Sequence, residues 1–249
     1  MKIKAIIFDV DGTLADTEDA HRQAFNAAFA DHRLDWHWSR PDYARWLAVT
    51  GGKERLAAFV DSLPLPSAEL AALKAGIPAI HRTKSDHYAR LVRAGGVPLR
   101  AGIERLLNEA ASAGVTLAIA STTTRENIDA LLGAHFGLGA AGRFSVIGAG
   151  DAVPQKKPAP DIYRFVLREL GECSADCVAV EDSGQGLAAA KRAGLFTVVT
   201  PSGWTTGEDF SGADLLLTSF DSCDKPFLEL EYAFATKLGR RPRYAGREA

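Results

Sequence analysis

No run of apolar residues in this chain approaches the roughly 18 that would cross a bilayer, which predicts no membrane span. Cysteine is scarce: Cys173, Cys177 and Cys223 are the only three. They are too few for a disulfide framework, and no Cys/His set has zinc-finger spacing. Free thiols suit a reducing compartment, so a cytoplasmic location is expected. An excess of either charge is missing too. Against 29 Lys/Arg stand 31 Asp/Glu, a formal net charge of −2. That balance creates no global field for nucleic acid or an anionic membrane, and neither partner is expected. Near the start, 5-AIIF-8 is far too short for the apolar core of a signal peptide, and charged residues follow at once. The stretch 237–249 is polar and Arg-rich and reads as a loosely held, solvated tail.

What is present is an ordinary globular composition in a chain of 249 residues, long enough for one large domain or two modest ones. Short apolar runs recur at 5–9, 116–121, 144–149, 177–182, 195–200 and 214–219. They are continuous rather than alternating, as strands buried on both faces of a parallel sheet are. Between them lie helix-like segments at 102–114, 160–171 and 185–194. The first carries Ile103, Leu106, Leu107 and Ala110 at helical spacing and stops on a glycine. Alternation of this kind predicts an α/β fold with a doubly wound parallel sheet, a Rossmann-like core. The region 15–97 breaks the rhythm with Ala-rich helical stretches at 17–32, 41–49, 52–63 and 67–95 and no comparable strand. The expected organisation is therefore a core of residues 1–15 and 98–235 with a helical cap domain, 16–97, inserted after the first strand.

Three of the runs end in residues that carry chemistry. The first ends at Asp9-Val10-Asp11, the second at Ser121 followed by three threonines, the fourth at Glu181-Asp182-Ser183, and Lys156-Lys157 lies in the loop before the 160–171 segment. Ligands of open α/β sheets bind at the carboxyl ends of strands, so these groups share one rim. Asp9 and Asp11, at i and i+2, lean to one face of an extended chain. Two unit charges at ~4 Å and an effective dielectric of ~20 repel by about 4 kcal/mol. Four carboxylates therefore need a cation, and oxygen donors without nearby His or Cys point to Mg2+, commonly completed by a substrate phosphate. A lysine across the phosphoryl group balances the remaining charge. A calcium loop does not fit, because Gly12 is fourth rather than sixth in its motif. Gly184-x-Gly186-x-x-Ala189 imitates a dinucleotide fingerprint but lies outside the first βα unit and behind two acids. No P-loop is present: 51-GGKER-55 has neither the upstream Gly nor a Ser/Thr after the Lys.

The ordered set 9-DVDGT-13, 121-ST-122, 157-KP-158 and 181-EDS-183 resembles the four motifs of the haloacid dehalogenase superfamily of phosphotransferases, and the insert after the first motif resembles its small helical cap. The resemblance covers about 1–225. It implies that Asp9 is the nucleophile and forms an aspartyl-phosphate. It implies that Asp11 is acid and then base, that Ser121 binds phosphoryl oxygens, and that Lys157 bridges phosphate and Asp9. It implies that Asp9, the main-chain carbonyl of Asp11 and Asp182 hold Mg2+, with Glu181 close by. Lys157 is preferred over Lys156 because 157-KPAPD-161 has the superfamily's K-P-x-P-D form. Thr13 stands where close mutase relatives often have Val.

The cap is expected to set selectivity by closing over the site. Between 15 and 97, 11 Lys/Arg face 10 Asp/Glu, so only local clusters can grip an anion. Gly51, Gly52, Lys53 and Arg55 form one candidate for a second phosphate, and 81-HRTK-84, with Lys84, forms another. Glu18 and His21, about one helical turn apart, are candidates for the same cleft, as are Thr122 and Thr123 beside Ser121. The stretches 16-DTEDAH-21, 50-TGGKER-55, 121-STTT-124 and 157-KPAPDIY-163 resemble the CbbY-like subfamily, relatives of β-phosphoglucomutase. Subfamily members are known as phosphatases of xylulose-1,5-bisphosphate, an inhibitory by-product of the Calvin-cycle enzyme Rubisco. The resemblance implies a Mg2+-dependent sugar-bisphosphate phosphatase acting on a small molecule, and a monomer is expected. The alternatives are a hexose-phosphate mutase on the same scaffold and a non-catalytic sugar-phosphate binding protein.

Overall fold

A computed structural model describes residues 2–239; the Arg-rich segment from 240 onward, where most of the expected loose tail falls, lies outside the described residues. Six strands, β1 (Ala5–Phe8), β2 (Thr116–Ala120), β3 (Val146–Gly148), β4 (Cys177–Glu181), β5 (Phe196–Val199) and β6 (Leu215–Leu216), form one sheet in the order β3-β2-β1-β4-β5-β6. Every pairing is parallel. The expected doubly wound sheet is present. Its strand order reverses around β1 and β4, which opens a crevice at their carboxyl ends.

The helices are α1 (Glu18–Asp31), α2 (Arg40–Trp46), α3 (Gly52–Asp61), α4 (Ser67–Arg93), α5 (Ile103–Ser112), α6 (Arg125–Phe136), α7 (Asp161–Leu170), α8 (Gly184–Arg192) and α9 (Pro226–Lys237). The two faces of the sheet are packed differently. Ile6, Phe8, Leu117, Ile119, Val178 and Val180 point to one face, against Leu106 and Leu107 of α5, Leu131 and Leu132 of α6, and Leu230 and Phe234 of α9. Ala5, Ala118, Ala120 and Ala179 point to the other, where small side chains let Ile162 and Val166 of α7 and Ala189 and Ala190 of α8 sit close. Both faces are buried, which is why the strands read as unbroken apolar runs.

The insert, α1 to α4, has its own aromatic cluster of Phe25, Phe29, Trp38, Tyr43, Leu56, Ile77 and Ile80. Trp38 anchors it, with ring centroids 4.9 Å from Phe25 and 5.0 Å from Phe29. The connection to the sheet is a pair of short strands of chain. Asp16 N donates to Pro98 O at 3.0 Å and Arg100 N to Leu14 O at 2.9 Å, around an antiparallel bridge between Ala15 and Leu99.

Candidate active site

The site is assembled where β1, β2 and β4 end. Asp9 is 6% exposed, and its N–H still donates to Val180 O at 3.0 Å, so sheet pairing carries the carboxylate to the rim. Lys157, buried in the loop before α7, places its Nζ 2.6 Å from Asp9 Oδ1 and 2.6 Å from Glu181 Oε1. The Tyr163 hydroxyl on α7 donates to that same Glu181 oxygen at 2.5 Å. Asp182 follows at the end of β4, its main-chain carbonyl accepting from Thr205 Oγ1 at 2.7 Å. Ser183 then caps α8, its side chain accepting from Gly186 N at 3.1 Å.

Asp9, Glu181 and Asp182 offer oxygens within 4.8 Å of one another, and all three are buried. Burial pushes the Asp9 carboxyl up to about 8, with Lys157 opposing and Glu181 and Asp11 adding to the rise. Burial, and then the charge of Asp9, lifts Asp182 well above the carboxylate range. Lys157 is held above the ordinary lysine range because Asp9 and Glu181 outweigh its burial. Three carboxylates against one ammonium leave negative charge uncompensated, and Glu181 Oε2 is buried with no hydrogen-bond partner. The chain makes room for this crowding. Gly12 has φ +78°, and a Cβ there would run into the Asp182 carboxylate; a Cβ on Gly186 would run into that of Glu181. An all-oxygen donor set with an orphaned acceptor fits a hard divalent cation such as Mg2+.

Asp11 is not part of that cluster. Its Oδ1 accepts from Thr17 Oγ1 at 2.7 Å and from His21 Nε2 at 2.9 Å. Lys84 Nζ lies 2.7 Å from His21 Nδ1, the ring nitrogen turned away from Asp11. Tyr88 stacks on the imidazole with centroids 4.1 Å apart. Burial opposes ionisation of Asp11, but His21, Thr17 and Lys84 outweigh it and hold the carboxyl well below its usual range. Burial draws Lys84 down to about 8.

The opposite wall of the cleft comes from the insert, including Glu18, Gly51, Gly52, Lys53 and Arg55, with Thr122 and Thr123 on the core side. Ser121, directly after β2, is 1% exposed beneath Thr122 and Thr123 and does not itself line the cleft, its Oγ accepting from Thr123 N at 3.3 Å. The turn at 50–55 does not present its two cations alike. Lys53 pairs across the cleft with Asp151 at 2.6 Å. Arg55 is turned inward, donating to Trp46 O and Val49 O and, at 2.8 Å, to the Tyr43 hydroxyl, which in turn donates to Glu18. His81, also on the cleft, is pushed down to about 3 by burial and the nearby Lys84 and Lys53, so it is neutral. Sequence reasoning missed Thr17, Tyr43 and Tyr88. Only Thr17 had a signal, a hydroxyl inside the turn that returns to Asp11; the others come together through packing between separate helices.

Residues 3–194 match the model of the haloacid dehalogenase-like hydrolases. The CbbY protein of a Cupriavidus necator plasmid is 54% identical over 215 residues, covering 86% of this chain and 85% of that one. The crystal structure of CbbY from Rhodobacter sphaeroides with phosphate has a TM-score of 0.81 at 49% identity, covering 88% of this chain and 95% of that chain. A mutant of that protein, solved with xylulose-(1,5)bisphosphate, has a TM-score of 0.82 at 48% identity, covering 89% and 96%. A β-phosphoglucomutase of Clostridium difficile, 21% identical with a TM-score of 0.74 over 96% of this chain and 100% of its own, shares the fold. With its family match, these relatives and a parallel sheet whose strand ends gather the expected acids, the chain belongs to the haloacid dehalogenase-like hydrolases.

Proposed function

We propose that this protein is a Mg2+-dependent phosphatase that removes one phosphate from a sugar bisphosphate, xylulose-1,5-bisphosphate, through an aspartyl-phosphate on Asp9. The observation that carries this reading is the buried contact of Lys157 with Asp9 and Glu181, beside Asp182, at the floor of a cleft whose other wall holds Lys53, Arg55 and Lys84. One end of that cleft suits the phosphate that is cut, the other a second anion. The crystallised relative with xylulose-(1,5)bisphosphate, 48% identical, supports the choice of sugar.

In the first step an Asp9 oxygen attacks phosphorus and the bond to the sugar oxygen breaks. Lys157 keeps Asp9 and the phosphoryl group from repelling each other. The leaving alkoxide takes a proton from Asp11. His21 and Lys84 favour ionised Asp11 in the resting cleft, but an arriving phosphate dianion favours its protonated form. In the second step water attacks phosphorus, its proton returns to Asp11, and the Asp9 carboxylate is released. Asp9, Asp182 and the Asp11 main-chain carbonyl would hold Mg2+, with Glu181 behind them. When bound, the ion supplies positive charge to the phosphoryl oxygens as the bond to phosphorus is exchanged. Ser121, with Thr122 and Thr123, orients those oxygens. Residues 16–97 act as a cap over the core of 1–15 and 98–235.

The test is phosphate release from sugar mono- and bisphosphates with Mg2+ added or chelated, with the sugar product identified. The reading expects Mg2+-dependent phosphate and a sugar monophosphate, fastest from xylulose-1,5-bisphosphate. An isomerised sugar phosphate without free phosphate would make the protein a mutase, and no turnover of any substrate would leave a binding protein.

A further inference from the structure

Arg100 sits outside the cleft, in the second connection between insert and sheet, with its side chain only 12% exposed. Its guanidinium donates to three main-chain carbonyls: Gly12 O at 2.5 Å, Thr200 O at 2.5 Å and Pro201 O at 2.8 Å. Its own backbone N–H donates to Leu14 O at 2.9 Å. One residue therefore grips the turn after Asp11 twice and ties it to the loop after β5. That loop is a firm base, because Thr200 is buried and its N–H donates to Glu181 O at 2.8 Å. Three carbonyls converging on one side chain need a group with several donors and no acceptor, and the guanidinium meets them from two nitrogens, Nη1 for Gly12 and Thr200 and Nη2 for Pro201, a planar spread that a single ammonium nitrogen lacks.

The turn it holds is the one that carries Asp11. Gly12 N donates to Ala15 O at 2.9 Å, and Asp11 is bridged to Ala15, so residues 11–15 move as a unit. On its far side the turn already touches Asp182, where Gly12 leaves no room for a side chain. Releasing the Gly12 carbonyl removes a tie between the turn that carries Asp11 and the loop after β5. His21 and Thr17 do not replace this restraint, because they hold the Asp11 carboxylate from α1 and its N-cap and make no tie to the loop after β5.

We propose that Arg100 is a positioning residue for proton transfer at Asp11: it locks the turn bearing that carboxyl to the core so that the carboxyl meets the leaving oxygen. The inference rests on the phosphatase reading. As the bond between phosphorus and the sugar oxygen breaks, the electron pair goes to that oxygen and the Asp11 proton joins it. Arg100 touches neither substrate nor phosphate.

Leaving-group dependence separates this role from a general structural one. A sugar phosphate releases an alkoxide that needs the proton; acetyl phosphate releases acetate, which does not. The ratio kcat/KM reports only the steps through Asp9 phosphorylation, before Asp11 acts as a base. Arg100→Lys and Arg100→Ala should lower kcat/KM for xylulose-1,5-bisphosphate by about 100-fold, the scale of lost acid catalysis, and change acetyl phosphate by no more than roughly threefold. In an Asp11→Asn background, Arg100→Lys should add no further loss, since both changes remove one effect. Equal losses on the two substrates, or additive losses in the double variant, overturn the proposal while leaving the phosphatase reading standing. If Arg100→Ala does not fold, Arg100→Lys, which keeps the stem and the charge, carries the test. Failure of the unaltered protein to release phosphate from either substrate would remove the reading itself.

Discussion

Asp9 shows what a buried carboxylate needs from its neighbours. Burial alone drives it towards the neutral form, and Lys157 only partly offsets this, leaving it at about 8. A nucleophile must be ionised, so the cation that the orphaned Glu181 oxygen invites also keeps Asp9 charged. Asp9→Asn should abolish phosphate release while thermal unfolding stays cooperative, and retained turnover would remove Asp9 from the chemistry. Lys84 offers a prediction with a definite sign. Burial draws it from its ordinary 10.5 to about 8, with Asp11 opposing the fall and Arg55 adding to it. Between these values the unfolded chain holds the proton that the folded chain has released, so this residue makes stability rise with pH. Relative to Lys84→Met, the protein should gain up to about 3 kcal/mol between neutral pH and the upper limit of that window. Denaturant titrations at a series of pH values check it, and parallel stability curves for the two proteins would refute it.

Among the elements, α8 has the strictest fit to the chemistry. It begins directly after Asp182, capped by Ser183, and its first turn passes so close to Glu181 that Gly186 has no room for a Cβ. Gly186→Ala should cost about 1–3 kcal/mol by overpacking and weaken Mg2+ binding by displacing the Glu181 carboxylate. Calorimetric titration of Mg2+ into the variant reads this directly, and unchanged affinity would dissociate the helix from the metal cluster. The six strands were legible because a two-sided parallel sheet writes itself as short apolar runs. α6 and α9 were not. Thr122 and Thr123 read as site residues, and the start of the helix lies one residue on, at its N-cap Thr124, which accepts from Asn127 N. In α9, Phe227, Leu230 and Phe234 are buried while Leu228 and Tyr232 are exposed, so no single apolar stripe marks the helix. α4 runs unbroken through Pro78 because Ile77, Ile80, His81, Lys84 and Tyr88 are buried around and beyond it.

For the whole molecule the decisive seam lies between insert and sheet. Gln185 Nε2 donates to Ala48 O at 2.6 Å, Thr50 Oγ1 to Lys157 O at 2.6 Å, and the Arg40 guanidinium lies 4.2 Å from the centroid of Trp204. These contacts close the cleft from the core side. Gln185→Ala should raise KM for a sugar bisphosphate several-fold, consistent with a net loss of about 1 kcal/mol from its hydrogen bonds with Ala48 O and Thr50 Oγ1, with little change in unfolding temperature. An unchanged KM would make the seam irrelevant to binding. Three of the motifs could be placed on one rim from strand ends alone, since Asp9, Ser121 and Glu181-Asp182 lie within a residue of a strand terminus, whereas the loop before α7 carries Lys157 there. The link from Lys84 through His21 to Asp11 could not, because it joins α4, α1 and the β1 turn across 63 and then 10 residues of sequence. The account stands or falls on the covalent step at Asp9. Acid quenching of a single turnover of xylulose-1,5-bisphosphate with Mg2+, followed by mass spectrometry of the peptides, should find a phosphoryl group on Asp9 that forms and decays as phosphate appears. Phosphate release with no phosphorylated peptide, or with the label on another residue, would contradict it.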